Sequence, residues 1–315
     1  MGGLNKLRDI KGVRGALYRA EQLHLRTSFA ANGLTNFLRM QTHRNGSRPS
    51  IAAVVVGRND DYMSDFAARL YATLEWNIHY LVDEVVFIEW NPPGDRELLS
   101  YGLTKRFKGL RAYVVSAEIH QRICENENIK LLEYHAKNVG IRRAHSPWIM
   151  STNADAAVGL DTANTLLGGN LAPGVIWTAE RFDISWREDQ QRKVGLLDSL
   201  RFRRLIPYQT MGTGEFLLAS RELWHRTRGY DEALVRHRIG CDVRGAAQML
   251  AAGAKINFAG SVLHLAHPTS ATEGATPHQG EMATVEGVPY HNPATWGMGD
   301  YQEVQLADRI WQLER

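Results

Sequence analysis

Between residues 51 and 155 the chain alternates short, nearly unbroken apolar runs with segments of helical spacing, and this alternation restricts the fold more than any other feature. IAAVVVG (51–57), EVVFIEW (84–90) and LRAYVVS (110–116) are each the length of one strand and rich in β-branched residues. Runs of this kind suit strands covered on both faces, as in a parallel sheet. DFAARLYATLEWNIHYL (65–81) places its apolar residues at helical steps. IKLLEYHAKNVGIRRAHSP (129–147) begins extended and turns helical, and a fourth strand then ends in WIMSTNAD. Strands and helices in turn predict a doubly wound α/β sheet. In such sheets ligands gather at the carboxyl ends of the strands.

Polar residues stand at those ends. Arg58, Asn59 and Asp60 follow the first strand, Glu89 closes the second, and Asn153 and Asp155 follow the fourth. Each alone also reads as a turn or helix-capping residue. A carboxylate leaving a core strand, however, is costly without a positive partner. The first strand-to-helix turn carries neither GxGxxG nor a Walker lysine, so it offers no dinucleotide or P-loop site.

In the second half, VIWTAERFDI (175–184) is a further strand. MGTGEFLLASRELWHRTRGYDEAL (211–234) opens in a glycine-rich turn holding Glu215 and continues as strand or helix from Phe216. HRIGCDVRGAAQMLAAGAKINF (237–258) puts Asp242 at a helix start, a position the helix dipole also favours for an acid. SVLHLAHP (261–268) ends a strand with His264 and His267, two imidazoles that are candidate metal ligands.

In their order these pieces resemble a nucleotide-sugar glycosyltransferase of the GT-A fold, similar to family 2 with a galactosyltransferase-type C-terminal half. VVVGRNDDY is similar to the first nucleotide-binding strand and loop, and FIEWNPP to the second. EYHAKNVGIRRAHSPWIMSTNAD resembles the helix and strand that lead to the DxD element, here Asn153-Ala154-Asp155. GEFLLASRELWHRTRGYDE resembles the acceptor side, GCD stands where the family often has Glu-Asp, and HLAHP where it has a metal-binding histidine. The resemblance implies a single GT-A catalytic domain over 49–270, with a Rossmann-like, doubly wound mixed sheet. It implies a Mn²⁺ or Mg²⁺ cofactor held by Asp155 with His264 as partner and His267 in reserve. Arg58, Asp60, Glu89, Lys137, Asn138, Arg142, Asn153 and Asp155 are then the expected nucleotide-sugar contacts. Asp242 is the expected general base of an inverting displacement, and Glu215 a second catalytic candidate or acceptor contact. The implied partners are a UDP- or GDP-linked sugar and a hydroxyl acceptor on a glycan, glycolipid or glycoside. Two positions depart from the pattern: Asn153 replaces an acid, and Cys241 stands where the first acid of Glu-Asp would be. The alternatives are a non-catalytic nucleotide- or sugar-binding protein of the same fold and a sugar nucleotidyltransferase. The latter would want a glycine-rich loop with Arg and Lys where VVVGRNDDY has one arginine and two acids.

The flanks carry separate expectations. Residues 1–48 hold nine Lys/Arg against Asp9 and Glu21, a net +7, and the remaining chain carries −4. Leu4, Leu7, Ile10, Val13 and Leu17 make a helical stripe there. This basic extension is expected to pack on the main domain or a second subunit, or to lie on an anionic membrane surface. No run reaches the roughly 18–20 apolar residues of a membrane span, and Cys124 and Cys241 make neither a disulfide framework nor a zinc pair. The expected location is cytoplasmic, with contact at the inner membrane surface as the alternative for the extension. No basic run or binding motif calls for nucleic acid. Residues 271–315 are rich in Gly, Thr, Ala and Pro until the last dozen. They are expected to form a flexible lid, with Trp296 free to stack on a sugar or base, followed by a C-terminal helix.

Overall fold

The apolar runs are strands, and most are buried along their whole length. The protein is described by a computed structural model covering residues 48–60, 62–63, 65–168, 171–185, 204–205, 214–267 and 281–315, so nearly all of the basic extension lies outside the described residues. β1 (Ile51–Gly57) pairs in parallel with β2 (Glu84–Trp90) and β4 (Trp148–Thr152), and β2 with β3 (Leu110–Val115). The crossovers carry α1 (Phe66–Tyr80), α2 (Leu99–Arg106), α3 (Ala117–Ile123) and α4 (Glu133–Arg143). Side chains alternate between the two faces of a strand. Ile51, Ala53 and Val55 therefore enter one core with Leu70 and Leu74 of α1, while Ala52, Val54 and Val56 enter the other with Ala136 and Val139 of α4. α4 lies so close that a Cβ at Gly140 would come 2.5 Å from Cγ1 of Val54.

The second half contains β5 (Ala156–Val158), α5 (Leu160–Gly168), β6 (Val175–Ser185), β7 (Arg204–Leu205), β8 (Phe216–Ser220), α6 (Arg221–Thr227), β9 (His237–Ile239), α7 (Cys241–Ala251), β10 (Lys255–Ala266), β11 (Glu281–Met282), β12 (Gln302–Ala307) and β13 (Ile310–Glu314). The main sheet runs β12-β13-β3-β2-β1-β4-β8-β6-β10-β5, with β7 beside β6. β8 is antiparallel to both β4 and β6, so Phe216 opens a strand and the sheet is mixed. The doubly wound mixed α/β sheet expected from the sequence is present.

The chain end differs from the expectation. The last dozen residues form no helix but a hairpin, β12–β13, that covers β3 by pairing Ile310 with Ala112. Ile310 and Leu313 are the only fully buried apolar residues of this hairpin, too few for a helical stripe. Arg309, at the turn with φ 59°, ties it down through carbonyls of Thr104, Phe107, Lys108 and Leu110. Residues 281–300 are packed structure rather than a free lid: Tyr290, Asn292 and Trp296 are all buried. Asn292 donates to the carbonyls of Arg228 and Tyr230. Trp296 is 3% exposed and is covered by the Arg142 guanidinium at 5.4 Å, so its ring cannot stack on a ligand. A Gly- and Pro-rich segment reads as a loop whether or not its few large residues are anchored. Residues 271–280 of the expected lid lie outside the described residues. Among the described residues, no helix is long and apolar enough to cross a membrane.

Candidate metal and nucleotide site

The register of three strands assembles the site. The chain leaves β4 at Thr152, re-enters as β5, and pairs Ala156 with His264 of β10. On its other side β10 pairs with β6, setting His264 opposite Asp183. His264 thus lies between two carboxylates, with Nε2 3.3 Å from Oδ2 of Asp155 and Nδ1 2.8 Å from Oδ1 of Asp183. His267, just past the strand end, places Nε2 2.8 Å from the same oxygen of Asp155. One ligand atom each from Asp155, His264 and His267 lies within 4.8 Å of the others, the dimensions of a single cation site. One carboxylate and two imidazoles suit Mn²⁺ or another transition ion better than Mg²⁺, which prefers oxygen throughout.

Within the cluster the carboxylates and the imidazoles shift one another's titration. Burial pushes Asp155 upward, but the two histidines overcome it and hold its carboxyl far below the usual range. Burial pulls His264 down, while hydrogen bonds to Asp155 and Asp183 outweigh it and hold the ring up at about 9. A histidine raised in this way stabilises the fold fully below its ordinary value of 6.5, and that contribution is lost as pH rises through about 9. Metal-free protein should therefore melt progressively lower from neutral pH to beyond 9. Added Mn²⁺ should reverse the loss, because the cation takes the place of the proton. Thermal unfolding in chelator across that range checks this; a profile with no fall would remove the charged His264 from the metal-free state.

A polar stripe on α1 holds the cluster's backbone. Thr73 Oγ1 donates to the carbonyl of Ala154, Trp76 Nε1 to that of Val158, and Asn77 Nδ2 to that of Ala156. Asn77 Oδ1 also accepts from the amide of Val158, and Arg69 donates to the carbonyls of Leu265 and Ala266. Each buried backbone group left without its partner would cost about 1–3 kcal/mol. Sequence reasoning missed these residues. The signal was present, since positions 69, 73, 76 and 77 share the buried face of a helix whose other members are apolar.

Glu215, one residue before β8, lies beside the cluster. Its carbonyl accepts from Thr152 Oγ1 at 2.7 Å, and its carboxylate pairs with Nη1 of Arg181 at 2.5 Å. The same guanidinium reaches Oδ1 of Asp183 with Nε at 3.0 Å and lies 2.8 Å from Nδ1 of His264 through Nη2. Arg181 therefore couples Glu215 to the cluster, and neither it nor Asp183 was singled out in the sequence. Asp242, in the first turn of α7, reaches the same turn from the other side. A Cβ at Gly214 would sit 3.3 Å from its Oδ2. Cys241 is buried, and burial together with the neighbouring Asp242 pushes its thiol up to about 12, so it does not replace the missing acid.

Three expected nucleotide contacts are engaged elsewhere. Glu89 is fully buried, and its two oxygens accept from the amides of Leu99 and Ser100 and the Ser100 hydroxyl, anchoring the start of α2. Asn138 donates to the carbonyl of Tyr230 and the carboxylate of Glu232 and accepts from the Tyr230 amide. The chain passes it at Gly229, φ +70°, where a Cβ would lie 2.2 Å from Asn138 Oδ1. Arg142 donates to the carbonyls of Ala294 and Trp296. The face of α4 that carries Asn138 and Arg142 packs against the 228–297 segments instead of lining the sheet edge. Lys137, by contrast, bonds Asn153 at that edge, at 2.9 Å. Arg58 and Asp60 stay at the carboxyl end of β1, paired with each other at 2.6 Å, with Arg58 also 4.4 Å over the exposed Tyr62 ring. A separate cavity of ≈ 770 Å³ opens beyond the ends of β2 and β3, lined by Asn91, His120, Lys130 and Arg236 among others, and includes none of the cluster residues.

No protein-family model and no curated protein matches the sequence. Among solved structures, the chain is similar to GalNAc-T7 with UDP, GalNAc and Mn²⁺, at 14% identity and a TM-score of 0.48. That match covers 71% of this chain and 45% of the other, so the chain spans less than half of that structure. It is also similar to the mannosyltransferase PcManGT from Pyrobaculum calidifontis in complex with GDP-Man and Mn²⁺, at 18% identity over 78% and 67% of the two chains, with a TM-score of 0.42. A third is glucosyl-3-phosphoglycerate synthase from Mycobacterium tuberculosis with Mn²⁺, UDP-Glc and phosphoglyceric acid, at 16% identity over 73% and 75%, with a TM-score of 0.36. Fold does not fix function, so the chemistry has to come from this chain's own side chains.

Proposed function

We propose that the protein is a metal-dependent glycosyltransferase that moves a sugar from a nucleoside-diphosphate donor to a hydroxyl acceptor. The observation that carries this reading is the Asp155–His264–His267 cluster at the carboxyl edge of the sheet, with Asn153 beside it and Asp242 across the Gly214 turn. Asp155, His264 and His267 would hold the cation, and the two imidazoles favour Mn²⁺ over Mg²⁺. A bound divalent cation neutralises charge developing on the diphosphate leaving group. Asp242 takes the proton of the attacking hydroxyl, a general-base role that corresponds to a single inverting displacement. Arg181 and Glu215 fix the edge of the acceptor side, and Arg58 and Asp60 the nucleoside side. In this reading residues 49–270 are the catalytic unit, and β12–β13 complete its sheet.

Calorimetric titration of UDP and of GDP tests the assignment. One of them should bind in the presence of Mn²⁺ and fail to bind in chelator. Binding of neither, with Mn²⁺ present, would overturn the donor class and with it the reaction.

A further inference from the structure

His264 meets a carboxylate at each of its two ring nitrogens, and the two contacts differ in kind. Its Nε2 lies 3.3 Å from Oδ2 of Asp155, the oxygen that His267 also reaches. Its Nδ1 lies 2.8 Å from Oδ1 of Asp183, a residue outside the group of three whose ligand atoms converge. Asp183 stands directly opposite His264 in the β6–β10 register, so both side chains leave hydrogen-bonded strands on the same face of the sheet.

Nδ1 has a second neighbour, Nη2 of Arg181 at 2.8 Å. A guanidinium has donors only, and an ionised carboxylate has acceptors only. The ring nitrogen can therefore bond one of them and not both. Protonated, it donates to Asp183; bare, it accepts from Arg181. The cluster decides between these. An imidazole that holds a cation is neutral and does so through a bare nitrogen, so with Nε2 given to the cation the one ring proton is on Nδ1. Only Asp183 can accept it. Arg181 serves from the side, since its Nε donates to the same Oδ1 of Asp183 at 3.0 Å while Nη1 is tied to Glu215 at 2.5 Å. Resting on the metal-dependent reading, we propose that Asp183 is a positioning residue that takes the Nδ1 proton of His264 and so keeps Nε2 bare for the cation, with Arg181 holding Asp183 in place.

What the ring requires at position 183 is an acceptor oxygen. Asparagine keeps that oxygen, and the Arg181 Nε–H beside it also needs an acceptor there, which sets the direction of the amide. Leucine keeps the size and loses the acceptor. Mn²⁺ binding, followed by electron paramagnetic resonance, should weaken about 10–100-fold in Asp183→Leu, the usual effect of removing a group that orients a metal-bound histidine. Asp183→Asn should stay within about threefold of wild type. A residue needed only to fill space would give the reverse of no such pattern: leucine would serve as well as asparagine. The tautomer is also read directly in unsubstituted protein, by long-range ¹H–¹⁵N correlation of the histidine rings with Zn²⁺ as the diamagnetic probe. His264 should carry its proton on Nδ1. A proton on Nε2 would overturn the proposal alone. So would Asp183→Leu that binds Mn²⁺ like wild type, or Asp183→Asn that loses as much as Asp183→Leu. Wild type that binds no Mn²⁺ would overturn it together with the metal-dependent reading.

Discussion

Replacing Asp155 with alanine should abolish Mn²⁺ binding, with affinity falling by at least about a hundredfold. Even groups that only orient a metal ligand typically account for 10–100-fold, and Asp155 is the sole carboxylate among the three ligand atoms. The loss follows from its place at the centre of the cluster, where both histidines reach its Oδ2, at 3.3 and 2.8 Å. Without that oxygen the two rings have no shared anionic partner, and Asp183 is the carboxylate that stays on His264. The hydrogen bond to Asp155 heads the influences that raise His264 against burial, so the ring in the variant should titrate lower than in wild type. The fall in stability between neutral pH and about 9 should accordingly shrink in metal-free Asp155→Ala. Two measurements decide this: Mn²⁺ titration followed by electron paramagnetic resonance, and thermal unfolding in chelator at several pH values. A variant that binds Mn²⁺ like wild type would move the metal elsewhere and leave Asp155 as no more than a hydrogen-bond partner of two histidines.

The parts of this molecule that were legible in the sequence are those whose physics is local. β1 and β2 announce themselves because burial on both faces demands a continuous apolar run, and the sheet class follows from their alternation with helices. Asp155, His264 and His267 stand out because their chemistry is unusual at strand ends. Arg181 and Asp183 did not, because what places them beside His264 is the pairing of β6 with β10, some eighty positions away in sequence. No short window of residues contains that register. Glu89, Asn138 and Arg142 show the converse. An acid, an amide and a guanidinium are the groups that bind nucleotides, but they are also the groups that anchor a helix start or a buried carbonyl. Only the neighbours decide between those roles, and here they are mostly backbone groups, joined by the Ser100 hydroxyl and the Glu232 carboxylate. The C-terminal hairpin failed for a third reason. A strand that covers a sheet edge buries very few residues of its own, so Ile310 and Leu313 leave almost no period to read.

Asp242→Asn should slow sugar transfer by about 10²–10⁴-fold, the range that a positioned general base contributes, while donor binding stays within about threefold of wild type, which is under 1 kcal/mol. The substitution keeps the shape of the side chain and removes only its capacity to accept a proton. Asparagine is also tolerated near a helix N-terminus, so the first turn of α7 should persist and the fold should hold. Separation of the two effects is expected because Asp242 meets the site through the Gly214 turn and is not among the three candidate cation ligands. The turn itself is held independently by Lys137, which donates to the Gly214 carbonyl at 3.0 Å. The measurement is a transfer assay with the donor found by calorimetry, read as separate kcat and KM values. A fall in kcat at constant donor KM identifies an interaction made only in the transition state. A rise in KM with kcat unchanged would make Asp242 a binding residue instead. Unchanged turnover would take the proton away from Asp242 altogether and turn attention to Glu215. Its carboxylate, however, is paired with Arg181 at 2.5 Å. The same assay on Glu215→Gln compares the two acids directly: the general-base proposal expects the larger fall in kcat for Asp242→Asn.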